Sequence, residues 1–500
     1  MISAFANTWK VPELRDRILF TLAMVVIVRL GVHITLPGVD ATVIDAWLEF
    51  AKKNNDPSEQ GGMQAILGIF SGGALQKAGV FALGIMPYIS ASIMMQLMKA
   101  VVPKLSKLSR EDGGNAKITQ YTRYLTIIIA FVQAIFVAKS LMNPSSLFYM
   151  QGIVQVTQEL GRELVPNPTL WWQALIVLTV VSGTLFLMWI GEQMTERGIG
   201  NGISIIITVN IIAMLPSAML NTWRYFVTRE GAGTFEVMML VVMVAIMLLV
   251  IAGTVAITQA QRRIAIQYAK RMVGRKQFGG QTQYLPLKVN YAGVMPIIFA
   301  TAVLTLPTIL FRQVFPNVQW ASGFIESVSS GGGWYYVLGA IFIFFFSYFW
   351  VATMFQPSQV SEDLKRNGGY IPGVRPGKPT AQFLDFTMTR LTFAGAIFLS
   401  LIFIVPMIVG YIVGLQPNSP ILTFFGGTSL LILVGVVLDV MRQVETHLLQ
   451  RHYDGFLRKG KLKGRYDRLS QSGSSNSSAA IVYLWALIGL LVVIAAVAYL

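Results

Sequence analysis

Long uninterrupted apolar runs decide what this 500-residue chain can fold into. A run of roughly 20 apolar residues spans the ~30 Å hydrocarbon layer of a bilayer, where every backbone polar group must be bonded within the protein. Helices meet that demand. Candidate spans fall at about 18–36, 77–98, 120–140, 171–190, 200–216, 237–258, 291–311, 335–355, 391–413, 424–441 and 479–500, which makes ten and then a detached eleventh. Composition agrees, with 54% hydrophobic and only 12% charged residues, where a soluble domain carries about 25% charge. The expected class is an all-α polytopic membrane protein.

Several chemistries are excluded at once. The chain has no cysteine, which removes disulfides, thiolates and sulfur-bound metals. His33, His447 and His452 are too scattered for a histidine metal cluster. No catalytic residue, cofactor or metal site is expected, and the chain reads as a non-enzyme. The opening MISAFANTWKVPELRDR is charged and lacks a cleavable hydrophobic core, so it reads as a cytoplasmic tail leading into the first span.

Loop charge sets the expected orientation. Residues 99–123 carry Lys99, Lys104, Lys107, Arg110, Lys117 and Arg123 against Glu111 and Asp112, a net of +4. Residues 262–290 carry Arg262, Arg263, Lys270, Arg271, Arg275, Lys276 and Lys288 with no acid, a net of +7. The 356–390 and 439–469 stretches come to +2 and +4, whereas 37–76 is net −3. Alternate loops are therefore basic, which places the N-terminus in the cytoplasm. The short 191–199 turn, at −1, breaks the alternation weakly.

The 262–290 and 356–390 loops are longer than a helix turn needs. Their basic residues suit orientation and attraction to anionic lipid. YIPGVRPGKPT, with Pro372, Gly373, Pro376 and Gly377, breaks any helix and presents Arg375. It reads either as a rigid docking surface or as a plain solvated loop. The spans read as lacking an acid or base in their middles, with Lys77, Lys99 and Asp439 at ends. That argues against an ion-coupled transporter, which commonly needs an intramembrane charge.

Residues 60–73, QGGMQAILGIFSGG, set an apolar patch between glycine pairs. Eight apolar residues cannot cross a bilayer. The patch could lie at the outer interface as a surface helix, or sit within the bundle as a re-entrant element. Gly61, Gly62, Gly68, Gly72 and Gly73 permit hinging. In the span that follows, Pro87 reads as a kink, and Ile85 and Ile89 share a face.

These blocks together resemble the SecY family, the large subunit of the Sec protein-conducting channel. The matching pieces are TLPGVD (35–40), FSGGALQ (70–76), FALGIMPYISASIMMQL (81–97), NAKITQYTRYLT (115–126), GEQMTERGIGNGISIIITVNI (191–211), QRRIAIQYAKRMVGR (261–275), YLPLKVNYAGVMPIIFA (284–300), GGYIPGVRPGKPT (368–380) and GGTSLLILVGVVLDVMRQVE (426–445). The first is the loosest.

The resemblance implies a channel of two inverted five-helix halves, 1–217 and 218–445, around an hourglass pore. It implies a plug at about 60–76, with Gly61, Gly62, Gly72 and Gly73 as its hinges. It implies a pore ring of Ile85, Ile89, Ile203, Ile207, Ile298 and Ile432, and a lateral gate between the second and third helices and the seventh and eighth. Cytoplasmic loops 259–290 and 356–390 would dock a ribosome or the SecA motor through Arg262, Arg263, Arg275 and Arg375. Other implied partners are the small subunits SecE and SecG, preprotein signal sequences, anionic lipids and accessory insertion and Sec subunits. The implied setting is the bacterial cytoplasmic (inner) membrane. GVRPGKPT lacks the GxxxxGK[ST] spacing, so ATP hydrolysis would belong to a partner.

The chain departs from the family after RHYDGFLRKGKLKGR (451–465). A basic tail at 446–469 passes through SQSGSSNSS (470–478), a flexible tether by composition. It leads to AAIVYLWALIGLLVVIAAVAYL (479–500), apolar enough to span, as a passive anchor or a helix packed beside the bundle. Two other functions fit parts of the chain. A small-solute secondary transporter suits its size and span count, and a membrane scaffold suits its loops.

Overall fold

In the computed structural model, helices take up most of the apolar sequence. The structure describes residues 12–54, 68, 70–109, 111, 113–143, 147, 150, 152–166, 168–228, 234–268, 271–273, 276–278, 282–314, 323, 327–328, 332–415, 419, 421–422 and 428–458. The linker 470–478, the extra span 479–500, Gly61, Gly62 and Arg275 lie outside them.

The helices of the first half are α1 (Pro12–Val32), α2 (Ala41–Asn54), α3 (Met86–Val101), α4 (Pro103–Leu108), α5 (Gly114–Met142), α6 (Ile153–Leu160), α7 (Leu170–Arg197) and α8 (Gly202–Trp223). A π turn, Arg224–Thr228, extends α8. The rest of the chain forms α9 (Thr234–Gln259), strands β1 (Gln261–Tyr268), β2 (Arg271–Val273), β3 (Lys276–Phe278) and β4 (Thr282–Lys288), then α10 (Met295–Val314), α11 (Gly333–Met354) and α12 (Pro357–Arg366). Strand β5 (Gly369–Tyr370), α13 (Lys378–Val413) and α14 (Thr428–Arg458) complete it.

Among the described residues, six helical stretches are long and apolar enough to cross a membrane. They are α5, α7, α8 with its π turn, α9, α11 with α12, and α13. The protein is thus a polytopic α-helical membrane protein, without the expected ten-plus-one count being reached on length and composition. Two shortfalls have clear causes. Helix α1 carries Arg15, Asp16, Arg17 and Arg29. Helix α3 has only 16 residues, because the apolar run before it is not helical.

The non-helical run corrects the reading of 77–98 as one span with a kink at Pro87. Residues 72–85 are turns, with Gly79 in a bridge to Thr35, and Pro87 lies in the first turn of α3, where its missing N–H costs nothing. An irregular backbone at membrane depth survives only if it is buried and bonded. Here Gly72 N donates to Gly68 O (2.7 Å), Gly79 N to Ala74 O (2.7 Å) and Gly84 N to Phe81 O (2.8 Å). Two further bonds tie the segment to the residues after α1: Leu36 N to Ala78 O (2.8 Å) and Val80 N to Ile34 O (2.9 Å).

The long basic loop 262–290 is a β element, which the all-α expectation did not contain. Strand β1 sits between β4 and β5, antiparallel to both, and β2 pairs with β3. Alternation drives it: Ile264 and Ile266 of β1 and Leu287 of β4 are buried while their neighbours face outward. Ile264, Leu287, Ile371, Val351, Phe355, Leu384 and Met388 share one core, so the sheet is seated on the ends of α11 and α13. At 1.5 Å per residue, the 36 residues of α13 reach about 54 Å, well beyond a ~30 Å hydrocarbon layer.

Helices α5 and α7 pack together and are joined by an ion pair with a fork geometry. Arg123 donates from Nε to Glu192 Oε1 (2.9 Å) and from Nη2 to Oε2 (2.7 Å). This gives the acidic 191–199 turn a local reason, since Glu192 is engaged by a residue of the basic 99–123 stretch.

Helix α2 begins at a side-chain cap. Asp40 Oδ1 accepts from Thr42 N (2.9 Å) and Thr42 Oγ1 (2.7 Å). These bonds, the hydroxyl's first, hold the Asp40 carboxyl below its ordinary range. A depressed carboxyl pKa adds stability above the unfolded value and loses it as pH falls through the folded one. Asp40→Ala should therefore lower the melting temperature in detergent at pH 7, Asp40→Ser should lower it less, and the difference from wild type should shrink in acid below about pH 4.

Candidate functional site

The turn between α7 and α8 aims the first pair of predicted ring residues. Gly200 has φ +80°, a left-handed conformation that glycine adopts freely. Asn201 then caps α8, its Oδ1 accepting from Ile203 N (3.1 Å) and Ser204 N (3.2 Å). Thr195 Oγ1 accepts from Gly202 N (2.9 Å), which clamps the two helix ends. Gln443 of α14 reaches across, its Oε1 accepting from Gly200 N (2.8 Å). The RGIGNGIS stretch is thus a built corner that fixes where Ile203 and Ile207 point.

The six predicted isoleucines fall in one hydrophobic cluster. Ile85, Ile89, Ile207, Ile298 and Ile432 are buried in it and Ile203 packs against it partly exposed. Four chain regions supply them: the start of α3, α8, α10 and α14. Helix α3 packs on α10, and α8 on α14. Gly435 of α14 lies so close to Val294, just before α10, that an added Cβ would collide with it. Phe70 and Ala74, of the segment preceding α3, belong to the same cluster and are 3% and 0% exposed. Ile85 is the residue before α3, and Ile89 N donates to its carbonyl (3.1 Å).

Two polar side chains that the sequence reading passed over reach this segment. Arg29 lies in the last turn of α1, inside the first expected span, which corrects the reading of the spans as free of internal charge. Its Nη1 donates to Gly72 O (3.2 Å). Asn210 of α8 is 3% exposed, and its Nδ2 donates to Phe70 O (3.2 Å). Arg29 could have been seen by counting charges inside the span rather than judging its length. Asn210 gave little signal in IIITVNII.

The predicted hinge glycines divide. Gly72 and Gly73 have φ +64° and +88°, and Gly61 and Gly62 fall outside the described residues. Gly84, which the sequence reading did not single out as a hinge, has φ +57°. A Cβ on it would strike the Phe70 carbonyl and come within 2.9 Å of Ser71 Cα.

Three of the four predicted docking residues are on the β element and the loop beside it, and Arg275 lies outside the described residues. Arg262 and Arg263 are exposed on β1. Arg375 is exposed on a loop whose backbone is held in place. Thr380 Oγ1 donates to Arg375 O (2.8 Å), and Ser361 Oγ to Gly377 O (2.6 Å). Pairing of Gln267 with Tyr370 and of Tyr268 with Gly369 joins the two long loops into one platform. Among the described residues no group of His, Asp and Glu could hold a metal.

Comparison with known proteins adds the family. Residues 79–441 match the SecY family model. A protein translocase subunit SecY of Streptomyces galbus is 41% identical over 463 residues, covering 92% of this chain and all of that protein. Two solved structures share the fold. One concerns how the plug domain of SecY stabilises the closed state of the translocation channel and maintains a membrane seal (17% identity, TM-score 0.57). The other is Sec61 in a canine ribosome–channel complex from the endoplasmic reticulum (16% identity, TM-score 0.55). Each covers 90% of this chain and 95% of its own.

The close approach at Gly84 carries a prediction. Gly84→Ala should lower stability by about 2 kcal/mol or more, whereas Gly73→Ala should cost only about 1, the left-handed penalty alone. An added Cβ at Gly73 meets nothing within 4 Å. Unfolding in mixed detergent measures both.

Proposed function

The chain belongs to the SecY family, and from that premise we propose that it is the channel-forming subunit of a Sec translocon. Unfolded preproteins pass through it across the membrane, and hydrophobic segments leave it sideways into lipid. The observation that carries this reading is the gathering of isoleucines from four chain regions into one buried cluster with Phe70 and Ala74.

Ile85, Ile89, Ile203, Ile207, Ile298 and Ile432 form the pore ring in this proposal. Isoleucine is bulky and cannot hydrogen-bond, so a ring of it fits around an extended chain while dewetting excludes ions. The segment at 60–76 is the plug, hinged at Gly61, Gly62, Gly72 and Gly73. Residues 1–217 and 218–445 are the two halves. The lateral gate lies between α3 and α5 on one side and α10 and α11 on the other. Each CH2 that moves from water to lipid gains about 0.8 kcal/mol, so apolar signal segments exit there and polar segments continue across.

The chain is passive, and energy comes from SecA or from a ribosome docked on the β platform. Arg262, Arg263, Arg275 and Arg375 make those contacts, arginine's donor fork suiting RNA phosphates and carboxylates. SecE, SecG, signal sequences and anionic lipids are the other partners. The protein sits in a bacterial cytoplasmic membrane with its N-terminus inside, and 479–500 adds an eleventh span. A solute carrier would want a polar cavity at the centre. Six isoleucines gather between α3, α8, α10 and α14 instead, which offers a solute few polar ligands there.

Proteoliposomes holding the chain with SecE, SecG, SecA, ATP and a signal-bearing preprotein test the function. Substrate should become protease-protected only when this chain is present. Lack of protection with bound, active partners would refute the proposal. In planar bilayers Ile432→Asn should hydrate the ring and raise resting ion conductance. Arg375→Glu should weaken SecA and ribosome affinity roughly tenfold, a shift of one lost charge-assisted contact, with folding unchanged. Lower salt should strengthen the wild-type affinity.

A further inference from the structure

We propose that Arg29 of α1 and Asn210 of α8 form a two-point polar clasp on the segment before α3 and thereby set how readily the channel opens. The inference rests on the plug reading of that segment and names what holds it shut.

The two donors come from separate helices and grip carbonyls two residues apart. Arg29 Nη1 donates to Gly72 O (3.2 Å), and Asn210 Nδ2 donates to Phe70 O (3.2 Å). Phe70 lies in the last turn of a short helical piece and Gly72 opens the irregular stretch, and carbonyls at and beyond a helix's C-terminal end need donors from elsewhere. The site is built to this fit. A Cβ on Gly72 would collide with Asn210 Oδ1 and sit 3.0 Å from Arg29 Nη1, so only glycine lets both donors close on the chain there. Asn210 is buried, and its Oδ1 accepts no hydrogen bond among the described residues, so the amide is held for what its Nδ2 does. An apolar side chain would fill the same place among Ile206, Ile207 and Ile211 without a lone unpaired oxygen.

Apolar packing of Phe70 and Ala74 resists any displacement, whereas the clasp resists only movement that separates those carbonyls from α1 and α8. Opening must therefore find both donors other acceptors, such as water or the carbonyls of a passing chain. A hydrogen bond from a charged donor is the stronger kind, so Arg29 is the larger of the two contributions.

The chain has no cysteine, which makes the test direct. Ser71, 5% exposed between the clasped residues, is changed to cysteine in the full chain assembled with its small subunits in proteoliposomes. Labelling by a membrane-impermeant maleimide and resting conductance in planar bilayers are measured together. Arg29→Met and Asn210→Leu should each speed labelling roughly tenfold and raise conductance, the double variant should exceed both, and Arg29→Lys should lie between wild type and Arg29→Met. Ile432→Asn is the control for the channel itself. A leak in Ile432→Asn with unchanged labelling and conductance in the clasp variants would overturn the clasp and leave the channel reading standing. A lowered melting temperature without faster labelling would also overturn it, marking both residues as packing elements. Silence in every variant, Ile432→Asn included, would bring down the channel reading along with the clasp.

Discussion

In hydrocarbon, a backbone N–H or C=O without a partner costs several kcal/mol, and the centre of this protein is arranged around that constraint. Regular helices satisfy it wherever the chain runs long. The stretch before α3 does not, and everything near it supplies partners. The residues after α1 pair with it across the Thr35–Gly79 bridge, and α1 and α8 send side chains to its carbonyls. Positive φ at Gly72, Gly73 and Gly84 lets the chain turn tightly enough to bond to itself. Only with that segment in place do Ile85 and Ile89 arrive beside the isoleucines of α8, α10 and α14.

Glycine also lets elements approach closely. At Gly202 an added Cβ would strike the carbonyl of Gly191, so α7 and α8 approach there as closely as backbones can. At Gly435 the close neighbour is Val294, which brings α14 against the start of α10. Each contact shortens the distance between elements that contribute to the central cluster.

The membrane class and the six long apolar helices were legible because run length is a strong signal. The six isoleucines were legible only through whole motifs, since any one of them alone reads as ordinary packing. Residues 77–85 were misread because an apolar run looks the same whether it is wound or broken, and Pro87 marks a helix start as well as a kink. Arg29 was read past because the span around it is otherwise apolar. The β element hid in a basic loop, its alternation confined to the short runs Ile264-Ala265-Ile266 and Leu285-Pro286-Leu287, where Ala265 and Pro286 blur the polar half of the pattern. Its third strand comes from more than 80 residues downstream, as the Tyr268–Gly369 pairing shows, and no local pattern announces that.

Helix α13 buries Leu384 and Met388 under the sheet, and Leu399, Ile402 and Phe403 further along lie in the central cluster. It is one continuous rod with a foot in each core. Helix α11 is placed the same way, with Val351 in the first and Ile343 and Phe346 in the second. Two stiff struts therefore run from the sheet to the central cluster. Platform and cluster are thus coupled through the same two helices, so that a displacement of one bears on the other.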